Sequence, residues 1–231
     1  MLRIRTENLL DKVVIGMKLG DLCESISLTF RRQQDRIILI NTSDVLDGKV
    51  TNHEYVQNEN LRGQFKKTFQ RDDILYSEIR PKNHRFAYID FDAKDYVAST
   101  KLMVIRANDK ILPQFLFQVL KSNEIIDQLQ LLAETRSGTF PQITFSELAS
   151  LDVSIPPISE QRKIATTLSC LDEKITNNIA VNHHLSPTMS ETDSSPDIRR
   201  GKRVSRIVTI VSLSSPLVNI LSINVLTISA N

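Results

Sequence analysis

What the chain has little of narrows it first. Its 231 residues include two cysteines, Cys23 and Cys170, four histidines and six glycines. Two cysteines make no disulfide framework, and without a secretory leader in the sequence they read as reduced thiols in a cytoplasmic protein. The adjacent histidines His183 and His184 point in different directions on a helix, which argues against a zinc site. There is no CxxC, GxGxxG, P-loop or GxSxG. A cofactor-dependent methyltransferase would need a glycine loop after a strand, and Gly16 and Gly20 around MKLG do not open one. No catalytic residue, metal site or cofactor is therefore expected. Charge vanishes altogether over residues 207–231, a Ser-, Val- and Ile-rich stretch in which polar residues interrupt every apolar run. A membrane span is the less favoured reading of it.

What remains is the composition of a folded domain, 41% hydrophobic and 24% charged. The net charge of +2 is unevenly spread. Residues 62–85 carry seven basic side chains (Arg62, Lys66, Lys67, Arg71, Arg80, Lys82 and Arg85) against Asp72, Asp73 and Glu78. A polyanion would be attracted there first. Residues 13–110 read as extended. Strands are expected at 36–40, 74–76, 86–91 and 101–105, with a turn at Asp47 and Gly48. No helix-length pattern separates them, so a curled mixed or antiparallel sheet follows rather than βαβ units. Residues 112–132 have helical spacing, opened by Pro113 and open to interruption at Ser122 and Asn123. The expected class is α+β.

The segment 77–86, SEIRPKNHRF, is the first candidate site. Arg80, Lys82, Asn83, His84 and Arg85 surround a backbone restricted by Pro81. Such a loop can offer a guanidinium fork to guanine and an amide to adenine, with lysines on the phosphates. Composition alone equally describes a solvated charged loop. A second candidate is 134–140, ETRSGTF, where Arg136, Ser137 and Thr139 surround Gly138. That glycine either permits close approach of a ligand or ends the helix.

The last organised segment is a helix from about 159 onward. Pro156 and Pro157 stop a short strand, Ser159 can cap the helix, and Glu160 lies in its positive first turn. Ile164, Leu168, Leu171 and Ile175 recur at spacings of 4, 3 and 4, and the same rhythm reaches Asn178, Asn182 and Leu185. This is a seam for another helix or for the helix's own domain, and periodicity admits both. The expected organisation is a recognition domain over 1–155, an assembly helix over 156–185 and an atypical tail over 186–231.

Together KLGDLCE (18–24), DILYSEIRPKNHRFAYI (73–89), STKLMVIR (99–106) and GTFPQITFSELASLDVSIPPISEQRKIATTLSCLDEKI (138–175) resemble the DNA specificity subunits of type I restriction–modification systems. The match covers about residues 14–185, one target recognition domain with its following helix. The resemblance implies a non-catalytic protein that binds double-stranded DNA and directs methyltransferase subunits, joined for cleavage by a nuclease and translocase subunit. It also implies two recognition domains separated by an antiparallel pair of helices, whereas this chain has one of each. Two expectations follow: a half-size subunit completed by a homodimer through the helix, or a truncated or frameshifted product, which accounts better for the tail. A protein-interaction module using the helix without independent DNA binding is the alternative function.

Overall fold

The computed structural model describes residues 15–31, 34–59, 63–136 and 140–185. Arg62, Ser137, Gly138, Thr139 and the tail over 186–231 lie outside the described residues.

Among the described residues, two four-stranded sheets, two two-stranded sheets, four α-helices and three short 3-10 turns make up the fold. The first sheet has the order β2 (Cys23–Ile26), β11 (Leu102–Ala107), β8 (Ile74–Ser77) and β9 (Phe86–Tyr88), antiparallel throughout. The second has the order β6 (Tyr55–Gln57), β3 (Arg36–Ile40), β10 (Tyr96–Ser99) and β7 (Phe65–Lys67). Its β10–β3 pair is parallel and its other pairs are antiparallel. The class is α+β with mixed sheets, as the extended first half of the sequence implied. The strand expected at 86–91 is shorter, since β9 ends at Tyr88.

Alternation along β8 and β11 explains the layering. Ile74, Tyr76, Met103 and Ile105 face a core completed by the helices, while Leu75, Leu102 and Val104 face a second core shared with Ile38, Ile40 and Ala98 of the other sheet. Both faces of the central strands are buried, which is why ILY (74–76) and LMVI (102–105) read as unbroken runs of apolar and aromatic residues. Asp73 is buried at the entrance to β8 and accepts two hydrogen bonds from Arg106, at 2.7 and 2.8 Å. A carboxylate there is tolerable because the guanidinium fork satisfies it.

Two turns follow directly from their residues. Between β4 (Val45–Leu46) and β5 (Lys49–Val50), Asp47 and Gly48 both take positive φ, 46° and 96°. That is the two-residue hairpin turn whose twist matches the strands. The helical stretch divides into α1 (Pro113–Leu120) and α2 (Asn123–Arg136), with the Ser122 hydroxyl donating to the Val119 carbonyl at 2.7 Å. A short α3 (Phe145–Ala149) and β12 (Asp152–Ile155) follow. β12 pairs antiparallel with β1 (Ile15–Lys18) and leads through the two prolines into α4 (Ile158–Leu185). The amides of Glu160 and Gln161 both donate to the Pro157 carbonyl, so the helix starts just ahead of the cap expected at Ser159.

Candidate nucleic-acid interface and assembly helix

The loop between β8 and β9 is held from several sides. Pro81–Asn83 forms one 3-10 turn, flanked by Arg80 and His84, both in the left-handed region at φ 44° and 53°. The Arg80 amide donates to the Pro141 carbonyl at 3.1 Å, and Ile79 bridges Gln142. The fold thus brings residues 79 and 80 beside Pro141 and Gln142, just past the second candidate segment of the sequence.

Most of the loop's charged side chains are already engaged. Arg85 donates from Nη1 to the carbonyls of Ser43 (2.9 Å) and Val45 (3.4 Å). His84 Nδ1 lies 3.0 Å from Asp47 and its ring stacks on Phe86. The Lys82 ammonium pairs with Asp127 of α2 at 3.1 Å, and Arg136 pairs with Glu147 at 3.2 Å. Arg80 and Asn83 differ. Both side chains are exposed, and neither has a hydrogen bond or ion pair among the described residues. A charged fork and a primary amide therefore project from one fixed turn, the two groups suited to guanine and adenine edges.

The remaining basic residues lie in two places. Lys66 is exposed on β7. Lys67 is half-buried and donates to the carbonyls of Thr100 (3.1 Å) and Leu102 (2.8 Å). Burial pulls its ammonium below the ordinary lysine range, with Glu78 opposing and Lys101 assisting. A hydrogen-bonded rim continues from there, since Glu78 donates its amide to the Lys101 carbonyl and accepts from the Ile143 amide at its own carbonyl. Lys101 belongs to this rim, within 3.8 Å of Glu78, and a lone lysine beginning a strand gave no signal in the sequence. Arg71 lies apart. It precedes β8 whereas Arg80 follows it, so four residues of strand, roughly 13 Å, separate them. Arg71 interacts instead with Tyr88 and Asp92. Among the described residues no group of three or more His, Cys, Asp or Glu is placed to hold a metal ion.

The polar side of α4 faces the domain. Gln161 is buried, and its carbonyl oxygen accepts from the Leu112 amide at 2.9 Å while its amino group donates to the Pro156 carbonyl at 3.0 Å. Ala165 is also buried. Asp172 accepts from Lys121 and, at 3.4 Å, from Gln118 of α1. Lys49 donates to Thr176 at 3.3 Å. The apolar stripe is turned outward, with Ile164 37% exposed, Leu171 41%, Ile175 58% and Ile179 65%. Leu168 is half-buried and Asn178 exposed. No helix among the described residues is long and apolar enough to cross a membrane.

The described fold is thus two sheets that share a core and a long helix that displays its apolar side outward. Residues 15–182 match the model of the type I restriction modification DNA specificity domain, and the chain belongs to that family. It is 46% identical over 169 residues to the type I restriction enzyme HindI specificity subunit of Haemophilus influenzae, covering 72% of this chain and 37% of that protein. The crystal structure of the HsdS subunit from Thermoanaerobacter tengcongensis has the same fold, with a TM-score of 0.62 at 22% identity over 74% of this chain and 45% of that one. A structure described for complex assembly and conformational transition of the type I restriction–modification system superposes equally, also at TM-score 0.62 and 22% identity, covering the same shares of the two chains. The chain thus spans less than half the length of these relatives.

Proposed function

We propose that this chain is a DNA-reading element of a type I restriction–modification system, without chemistry of its own, that brings methyltransferase subunits to a specific duplex sequence. Family membership supports the class. The observation that carries the site is the pair Arg80 and Asn83, exposed and uncommitted on a turn whose other charged groups are tied down. Bases are then read by Arg80 and Asn83. Lys66 and Lys101 neutralise phosphates along the rim, and Arg85, Lys82, His84 and Lys67 support the loop and rim. Arg136, the last residue of α2, with Ser137 and Thr139 following it in sequence, completes the proposed set of DNA contacts. Residues 15–155 form the reading domain, and 156–185 form a helix whose outer stripe, Ile164 through Asn178, meets methyltransferase subunits or a second copy of the helix. A nuclease and translocase subunit joins through that complex.

The test is to map methylated sites in cells that express this chain with its methyltransferase, then to measure binding of the complex to the mapped duplex. Arg80→Ala is expected to weaken cognate binding by about 1–3 kcal/mol while leaving a scrambled duplex nearly unaffected. Equal losses on both duplexes would make Arg80 a phosphate contact. No methylation and no binding would favour the second reading, a protein-interaction module, which the outward stripe of α4 supports.

A further inference from the structure

Lys82 is the second residue of the Pro81–Asn83 turn, and its amide has no partner within that turn. The partner comes from 48 residues away: the buried side chain of Gln130 accepts it at 3.2 Å. Gln130 in turn donates to Glu134 at 2.7 Å, one helical turn further along α2. Asp127, three residues earlier, pairs with the Lys82 ammonium. Positions 127, 130 and 134 lie on one stripe of α2 that bears on the back of the loop. Its apolar counterpart, Ile125, Ile126, Leu129 and Ala133, is locked into the core. The stripe is therefore a rigid support, and it touches the one turn from which Arg80 and Asn83 project.

We propose that Gln130 is a positioning residue for sequence discrimination. By fixing the Lys82 amide it sets the direction of the Arg80 guanidinium and the Asn83 amide, without contacting a base itself. This rests on the reading of the loop as the base-contacting element. Discrimination depends on angle and register, because a bidentate contact fails when the fork is tilted. Nonspecific attraction depends on charge alone, which Gln130 does not carry.

The experiment uses the full chain with its methyltransferase, the mapped duplex and a scrambled duplex of equal length. Gln130→Met keeps the size of the side chain and removes both hydrogen bonds. The expected result is about a tenfold loss on the mapped duplex, with scrambled-duplex affinity and the salt dependence of binding unchanged and faster hydrogen exchange at the Lys82 amide. Gln130→Ser leaves room for a water and carries the same expectation if the Met variant does not fold. Exchanging the two groups, Gln130→Glu with Glu134→Gln, keeps an acceptor for Lys82 and a donor between 134 and 130, and should restore discrimination. The inference is overturned if Gln130→Met leaves the preference between duplexes intact, if both affinities fall together, or if the exchange fails to restore the preference. Arg80→Ala measured alongside separates the two levels. When Arg80→Ala loses discrimination and Gln130→Met does not, the positioning role alone fails, and when neither loses it, the reading of the loop fails as well.

Discussion

Leu129 of α2 and Leu171 of α4 each sit on an apolar stripe at helical spacing, yet Leu129 is sealed in the core and Leu171 is 41% exposed. Around Leu129, Ile125, Ile126 and Ala133 pack with Leu116 and Leu120 of α1 and with the sheet. Around Leu171, Ile164, Ile175 and Ile179 meet solvent, and the domain is gripped by Gln161, Ala165 and Asp172 instead. An ordinary surface helix turns its apolar side to its own core. A helix that docks by polar groups and shows its apolar ones leaves roughly 1–2 kcal/mol of burial unrealised at each exposed large side chain. The difference teaches that α2 stabilises the domain, whereas α4 leaves its apolar face exposed to solvent, as the proposed association requires.

The most forceful way to break this contrast is at Leu129. Leu129→Ala should cost about 2–5 kcal/mol in urea or thermal unfolding, because it opens a cavity in a core closed on every side. Leu171→Asp should change the unfolding free energy of the chain by about 1 kcal/mol, well below the Leu129 loss, since the position is already 41% exposed. The same variant should weaken co-purification with methyltransferase subunits by about 2 kcal/mol or more, the loss expected when a charge replaces an apolar anchor. If Leu171→Asp unfolds the domain as Leu129→Ala does, α4 is ordinary core and the contrast is gone.

Much of this was legible from short-range patterns. The Asp47 and Gly48 turn, the strands at 36–40, 74–76 and 101–105 and the division of the helical stretch at Ser122 and Asn123 are local, and each formed near its expected position. The spacing of Ile164, Leu168, Leu171 and Ile175 identified the stripe but not its direction. That depends on Lys121 meeting Asp172 and on the Leu112 amide meeting Gln161, contacts across about fifty positions. The same separation hid which basic residues are committed. Arg85 is used by carbonyls 40 and 42 positions away, and Lys82 by α2. A net basic excess over 62–85 describes the segment without telling these residues from Arg80. The buried Asp73 was hidden for the same reason, because its partner Arg106 stands 33 positions later.

The smallest expected effect sharpens the comparison at the end of α2, where Arg136 pairs with Glu147 in the first turn of α3. Burial by itself raises the Glu147 carboxyl. Hydrogen bonds from the Thr144 amide (2.6 Å) and hydroxyl (2.9 Å), with the Arg136 charge, outweigh it and hold the group below the usual carboxylate range. A carboxyl depressed in the folded state contributes stability that is complete above its unfolded value, near about 4.3, and that disappears as pH falls through the lower folded value. Glu147→Gln keeps a capping acceptor but removes the charge, and should cost about 0.5–1 kcal/mol at neutral pH. Urea unfolding across the acid range should show the mutant and parent curves converging below the carboxylate region. A gap that persists into acid would mean that shape, and not charge, joins α2 to α3. No such term is expected for α4, whose outer stripe carries no titrating group at Ile164, Leu168, Leu171 or Ile175, so substitutions there by uncharged residues such as alanine should shift stability equally at all pH values.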